Sequence, residues 1–149
     1  MKNISILNKK ARFEYEILEQ YEAGMVLYGT EIKSIRESKA SIAESFCQIK
    51  DGEIWIINMS VEEYKFGSFY NHKLKRERKL LLHKREIEKL ERKTKDVGYT
   101  IVPLKLFLNE KGKAKIIIAL ARGKKNYDKR QDIKLREDKI NISRLLRSR

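Results

Sequence analysis

The sequence predicts a mainly β fold: a small antiparallel β-barrel with two or three helices, followed by a basic C-terminal tail that becomes helical only on a partner. Three observations lead there. Segments rich in β-branched and aromatic residues alternate with turn signals from residue 13 to residue 121. Within that span only residues 31–37 and 79–95 carry helical spacing. Beyond Ala121 the apolar density falls abruptly.

Residues 1–10 are polar and basic, and mobility is expected at their start. Residues 13–27 alternate imperfectly through Phe13, Tyr15, Ile17, Tyr21, Ala23 and Met25, as a long bent strand does, with Gly24 suited to a bulge. Thr30 can cap a short helix over 31–37 by accepting from the backbone N–H groups that follow, and Glu31 suits the positive end of its dipole. Residues 45–50 and 53–59 flank Asp51-Gly52, a two-residue hairpin signal of type I′. Cys47 reads as a small core residue, and Trp55 as core in preference to a stacking platform. Residues 62–71 form an irregular aromatic loop whose Tyr64, Phe66, Phe69 and Tyr70 suit either packing over the barrel or contact with a bound partner.

The strongest helix is expected over 79–95, with Leu80-Leu81-Leu82 leading in, Ile87 and Leu90 on a narrow inner stripe, and Gly98 as the stop. Residues 99–108 are a strand that Pro103 confines to an edge or a bulge. Residues 109–112 turn it, and 113–121 return with Lys113 and Lys115 on one face, Ala114 and Ile116 on the other. Five strands with two interposed helices suit a barrel of the oligonucleotide-binding type. Residues 1–121 are therefore expected to form the barrel domain, and 122–149 a tail that is disordered when free. In the tail, Asp128 and Gln131 have the spacing of a helix cap with a reciprocal partner.

The chain has 149 residues and one cysteine, so no internal disulfide can form, which suits a reducing compartment such as the cytoplasm. No signal peptide is legible, and the longest apolar run, 116–121, is far short of the ~20 residues a membrane helix needs. Charge is the loudest feature. Lys and Arg number 35 against 21 acids, a net +14. Two stretches carry all of it: 72–95 and 122–149 each hold 11 basic and 4 acidic residues. Such blocks attract polyanions, nucleic acid first. No phosphate-cradling glycine loop, zinc-ligand spacing or nucleophile motif is present, so neither enzyme nor cofactor is expected. A metal nuclease built on Glu22 and Glu31 is the weakest competing class, and a generic single-stranded nucleic-acid binder or ribosome-associated barrel is the runner-up.

Several strings occur in order: Asn8-Lys9-Lys10-Ala11-Arg12, Tyr21-Glu22-Ala23-Gly24, Gly29-Thr30-Glu31-Ile32-Lys33-Ser34, Arg78-Lys79-Leu80-Leu81-Leu82-His83, and Ala121-Arg122-Gly123-Lys124-Lys125 followed by Asp128-Lys129-Arg130. Together they resemble the small protein B (SmpB) family, the bacterial partners of transfer-messenger RNA. The resemblance implies an adaptor, one copy per RNA, that carries the tRNA-like domain of that RNA into stalled ribosomes for trans-translation. The barrel would stand in for the anticodon arm while the tail probes the empty mRNA channel. It further implies that Asn8, Lys9, Lys10, Arg12, Glu22, Leu81 and Lys115 bind the RNA or shape its site. Phe13, Gly123, Lys124, Lys125, Asp128, Lys129 and Arg130 would meet the small-subunit decoding centre, and Leu145 and Leu146 the mRNA channel. Many members have histidine where this chain has Phe13, which keeps a flat face and loses a donor.

Overall fold

In the computed structural model, which describes residues 4–66 and 71–124, the chain runs β1 (Ser5–Leu7), α1 (Lys9–Glu14), β2 (Tyr15–Met25), α2 (Gly29–Arg36), β3 (Ala40–Ser41), β4 (Phe46–Lys50), β5 (Glu53–Ile57), β6 (Ser60–Val61), β7 (Arg78–Leu81), α3 (Lys84–Thr94), β8 (Tyr99–Leu108) and β9 (Ala114–Gly123). All pairings are antiparallel. The order β8-β4-β5-β7-β2-β9 closes on itself through β8–β9, and β1 joins β8 beside β4. This is the expected type of barrel, with six strands in the ring where five were expected, and closure leaves its main strands without the open edge that invites aggregation. β3 and β6 form a separate two-stranded ribbon.

Alternation along the strands sends one set of side chains inward. Ala23, Ile54, Ile56, Leu80, Leu106, Ile116 and Ile118 fill the interior, where Ile35 of α2 and Ile87 and Leu90 of α3 join them. A second cluster lies on the outside, where Ala11 of α1 covers Val102, Leu104, Ala119 and Ala121. With both faces covered there, β9 is buried continuously from Ile118 to Ala121. The Asp51-Gly52 turn is as expected: φ is +51° and +75°, the pair of positive values a type I′ turn requires. Pro103 sits at a bulge, where the β8–β9 register slips between Pro103 and Lys105. Cys47 is core. No helix among the described residues is long and apolar enough to cross a membrane.

Several expectations need correction. Residues 9–14 are helix, so Phe13 does not begin the long strand. One buried residue, Ala11, was too little to show helical periodicity. The bulge in β2 lies between Ile17 and Glu19, and not at Gly24. Thr30 does not cap α2. Its hydroxyl bonds His72 Nδ1 at 2.9 Å, while Glu31 accepts from the Tyr28 backbone N–H at 2.8 Å. The helix expected from residue 79 begins at Lys84, because Arg78–Leu81 is the strand that bridges β5 and β2. Trp55 is half-buried on the outer face, between the inward Ile54 and Ile56 and opposite Gln48 and Lys79. Finally, β9 runs to Gly123, so Arg122 and Gly123 belong to a barrel strand and not to the tail.

Candidate nucleic-acid interface

Three of the residues singled out in the sequence converge at one point of the barrel. On β2, Gly24 stands opposite Lys115 of β9 on one side and Leu81 of β7 on the other, and Glu22 lies two residues back on the same face. A Cβ added at Gly24 would lie 3.4 Å from Leu81 Cβ and 3.6 Å from Lys115 Nζ. The Lys115 ammonium and the Leu81 side chain thus both lie against the backbone of Gly24. Glycine in a strand marks either a bulge or a close approach, and here it marks the approach. Leu80 points inward and is 1% exposed, whereas Leu81 is 52% exposed and offers methyl groups to solvent. Two adjoining depressions share Gly24, Leu81 and Lys115. One continues over Glu22, His83 and Glu86, the other over Leu27, Ile32 and Lys113. An ammonium for a phosphate, a carboxylate for hydroxyl or amino hydrogens and an apolar ledge for a ribose or base edge are thus within one side chain's reach of each other.

The basic block around residues 72–95 is less available than its charge suggests. Arg78 is fully buried and bonds the equally buried Glu31 through Nε, and its Nη1 donates to the carbonyls of Met59 and Arg76 at 2.7 and 2.9 Å. Arg76 bonds the other oxygen of Glu31 and stacks on the Tyr28 ring, 4.1 Å from its centroid. Burial opposes the ionisation of Glu31, yet Arg76, the Tyr28 N–H and Arg78 together hold its carboxyl below the usual carboxylate range. Burial likewise lowers the Arg78 guanidinium against the pull of Glu31. Lys89 and Lys93 of α3 close on Glu19, at 3.4 and 2.7 Å, and Lys79 on Glu53 at 2.8 Å. Much of this block therefore fastens α2, β7 and α3 to the barrel. With Glu31 enclosed by arginines, the Glu22–Glu31 metal site has no structural support, and among the described residues no group of three or more His, Cys, Asp or Glu could share a metal ion.

The remaining site residues lie at the opposite end of β2. Tyr15 pairs Gly123 there, nine residues from Gly24, about 30 Å along an extended strand. Lys9, Lys10, Arg12 and Phe13 ride on α1. Lys9 and Arg12 are exposed, Phe13 is half-buried, and Lys10 pairs Glu44 at 3.1 Å. Asn8 is 6% exposed and engaged inside the protein. Its Oδ1 accepts from the Ala11 N–H, and its Nδ2 donates to the carbonyls of Pro103 and Ile42. It caps α1 and ties it to β8. Gly123 and Lys124 follow directly, with the Lys124 N–H donating to the Glu14 carbonyl at 2.9 Å. The structure therefore separates the two groups, and it places Asn8, Lys9, Lys10 and Arg12 with Phe13, Gly123 and Lys124, and not with Glu22, Leu81 and Lys115. Lys125, Asp128, Lys129, Arg130, Leu145 and Leu146 lie outside the described residues, as do Phe69 and Tyr70. Tyr64 packs edge-on against Phe66, which is itself 75% exposed.

Sequence reasoning missed Gly24 as the organiser of the site and His83 and Glu86 as its border. A glycine flanked by strand residues was the available signal, and only the pairing of β2 with both β7 and β9 resolves its meaning.

Comparison with known proteins bears on the family and the fold. The family model described as SmpB protein matches residues 5–148. The SsrA-binding protein of Flavobacterium psychrophilum is 57% identical over 145 residues, 97% of either chain. That of Fervidobacterium nodosum is 51% identical over 140 residues, 94% of either chain. A chain of the solved structure described as "tmRNA-SmpB: a journey to the center of the bacterial ribosome" superposes with a TM-score of 0.70 at 47% identity, covering 83% of this chain and 86% of that one. Motifs, barrel and near full-length identity coincide, and the chain belongs to the SmpB protein family.

Proposed function

We propose that this chain is the cytoplasmic RNA-binding adaptor of trans-translation, which carries transfer-messenger RNA to stalled ribosomes and works by docking and not by catalysis. The observation that carries this reading is the convergence of Glu22, Leu81 and Lys115 on the bare backbone of Gly24. That pole suits the tRNA-like domain. Lys115 would take a phosphate, Glu22 a sugar or base edge, and Leu81 the flat side of a nucleotide. Asn8 would act indirectly, by holding α1 in place. The other pole presents Phe13, Gly123 and Lys124 and leads into the basic tail. It would face the decoding centre, with Lys125, Asp128, Lys129 and Arg130 following and Leu145 and Leu146 deeper in the mRNA channel. A tail with seven surplus positive charges on 28 residues gains most where a phosphate-lined channel is empty.

The test is competition. The tRNA-like domain, bound at moderate salt, should resist displacement by a length-matched unstructured RNA. Equal competition by the two RNAs would replace the adaptor with the generic single-strand binder.

A further inference from the structure

One cross-strand row runs over the outer face of the sheet: Ser5 on β1, Phe107 on β8, Lys115 on β9, Gly24 on β2 and Leu81 on β7. Directly opposed residues in such a row are in side-chain contact range. Phe107 is thus the immediate neighbour of Lys115, on the side away from Leu81. Its ring is half-buried and belongs to neither buried cluster. The neighbour beyond it, Ser5, is too small to cover it. Two residues back on the same strand face, the Lys105 ammonium lies 5.4 Å from the centre of the ring. Neither Lys105 nor Lys115 has an ion-pair partner among the described residues.

The ring stands outside both buried clusters, so filling the core does not account for it. Flanked by two unpaired lysines, it has the composition of a stacking platform: a π face for a base and a charge on either side for the backbone. A protein surface would answer the two lysine charges only if it set an acid on either side of the ring, whereas RNA carries a phosphate beside every base. Structured RNA answers both where a loop exposes an unstacked base. We infer that the RNA surface extends past Lys115 onto β8, where Phe107 stacks on an unpaired base of the bound RNA and Lys105 receives an adjoining phosphate. This deepens the proposed function and rests on it.

The test uses the full chain and the tRNA-like domain of transfer-messenger RNA. Phe107→Leu, which keeps an apolar side chain and removes the π face, should weaken binding about 5- to 100-fold without changing the salt slope. Lys105→Gln should lower the steepness of the salt dependence by about one phosphate. If Phe107→Leu disturbs folding, Phe107→Trp in a Trp55→Phe background supplies a second reading: the fluorescence of its single indole should be quenched on RNA binding, with affinity kept or raised. Native affinity of folded Phe107→Leu, or indole fluorescence of the Phe107→Trp variant that stays unquenched in a bound complex, overturns the inference. Lys115→Ala in the same assay separates the two levels. If it weakens binding while Phe107→Leu does not, the extension fails and the Gly24 site survives. If neither variant weakens binding, the site itself is misplaced.

Discussion

Replacing Glu31 by Gln keeps its shape and deletes one charge from the cluster that joins α2 to β7. In the native protein Glu31 and Arg78 are both fully buried, and the Arg76 side chain is only 23% exposed. Glu31→Gln leaves two guanidinium groups facing each other with no anion between them. Arg78 keeps its donations to the Met59 and Arg76 carbonyls, so the loss is one of charge compensation more than of hydrogen-bond number. Breaking a buried ion pair by removing one partner costs about 3–5 kcal/mol. The retained carbonyl contacts place this case towards the lower end. With a urea slope of roughly 1–3 kcal/mol/M for a domain of this size, the unfolding midpoint should fall by about 1–3 M. Circular dichroism across a urea series measures it. The double variant Glu31→Leu with Arg78→Met removes both buried charges and should recover part of the loss, since apolar replacement of a whole buried pair is often neutral. A midpoint shift of less than about 0.3 M for Glu31→Gln, or a double variant no better than the single, would refute the claim that this charge cluster fastens the fold.

Two further outcomes follow from the geometry. Lys115→Ala and Glu22→Ala should each weaken binding to the tRNA-like domain by roughly 1–3 kcal/mol with the circular dichroism spectrum unchanged. Only the lysine variant should flatten the salt dependence, by about one phosphate. Lys93, the Tyr21 hydroxyl and Lys89 lower the Glu19 carboxyl to about 2. A depressed acid contributes stability that is fully present above its unfolded value, near ~4.3, and is lost as pH falls towards its folded value. The hold of α3 on β2 should therefore weaken between about pH 4.5 and pH 2, and Glu19→Gln should remove that part of the acid transition in a thermal-melt series.

Much of the barrel was legible because its signals are local. The Asp51-Gly52 turn, the Pro103 interruption and the alternation of Lys113, Ala114, Lys115 and Ile116 each depend on neighbours in sequence. What escaped depends on partners far along the chain. Arg78–Leu81 reads as the start of a helix until β5 and β2 claim it as the strand that completes the ring. Lys9–Glu14 becomes helix because Asn8 caps it and the Val102–Leu104 surface of β8 receives Ala11. Arg76 and Arg78 look like RNA contacts in a charge count, and burial against Glu31 assigns them to the fold. The residues of the Gly24 site were found through the family resemblance. Their convergence needed β2 to be paired on both edges, a fact that no spacing along β2 records.

On the proposed reading the two ends of the barrel do different work: RNA capture around Gly24, and ribosome engagement beyond Gly123. It is tested most directly by peptide tagging on ribosomes stalled at the end of a message, using full-length chain with Asp128, Lys129 and Arg130 replaced by alanine. This variant should bind transfer-messenger RNA within about twofold of the parent, since the Gly24 end is untouched, and should fail to support tagging. Tagging at the parental rate, or tagging lost only in proportion to lost RNA binding, would contradict it.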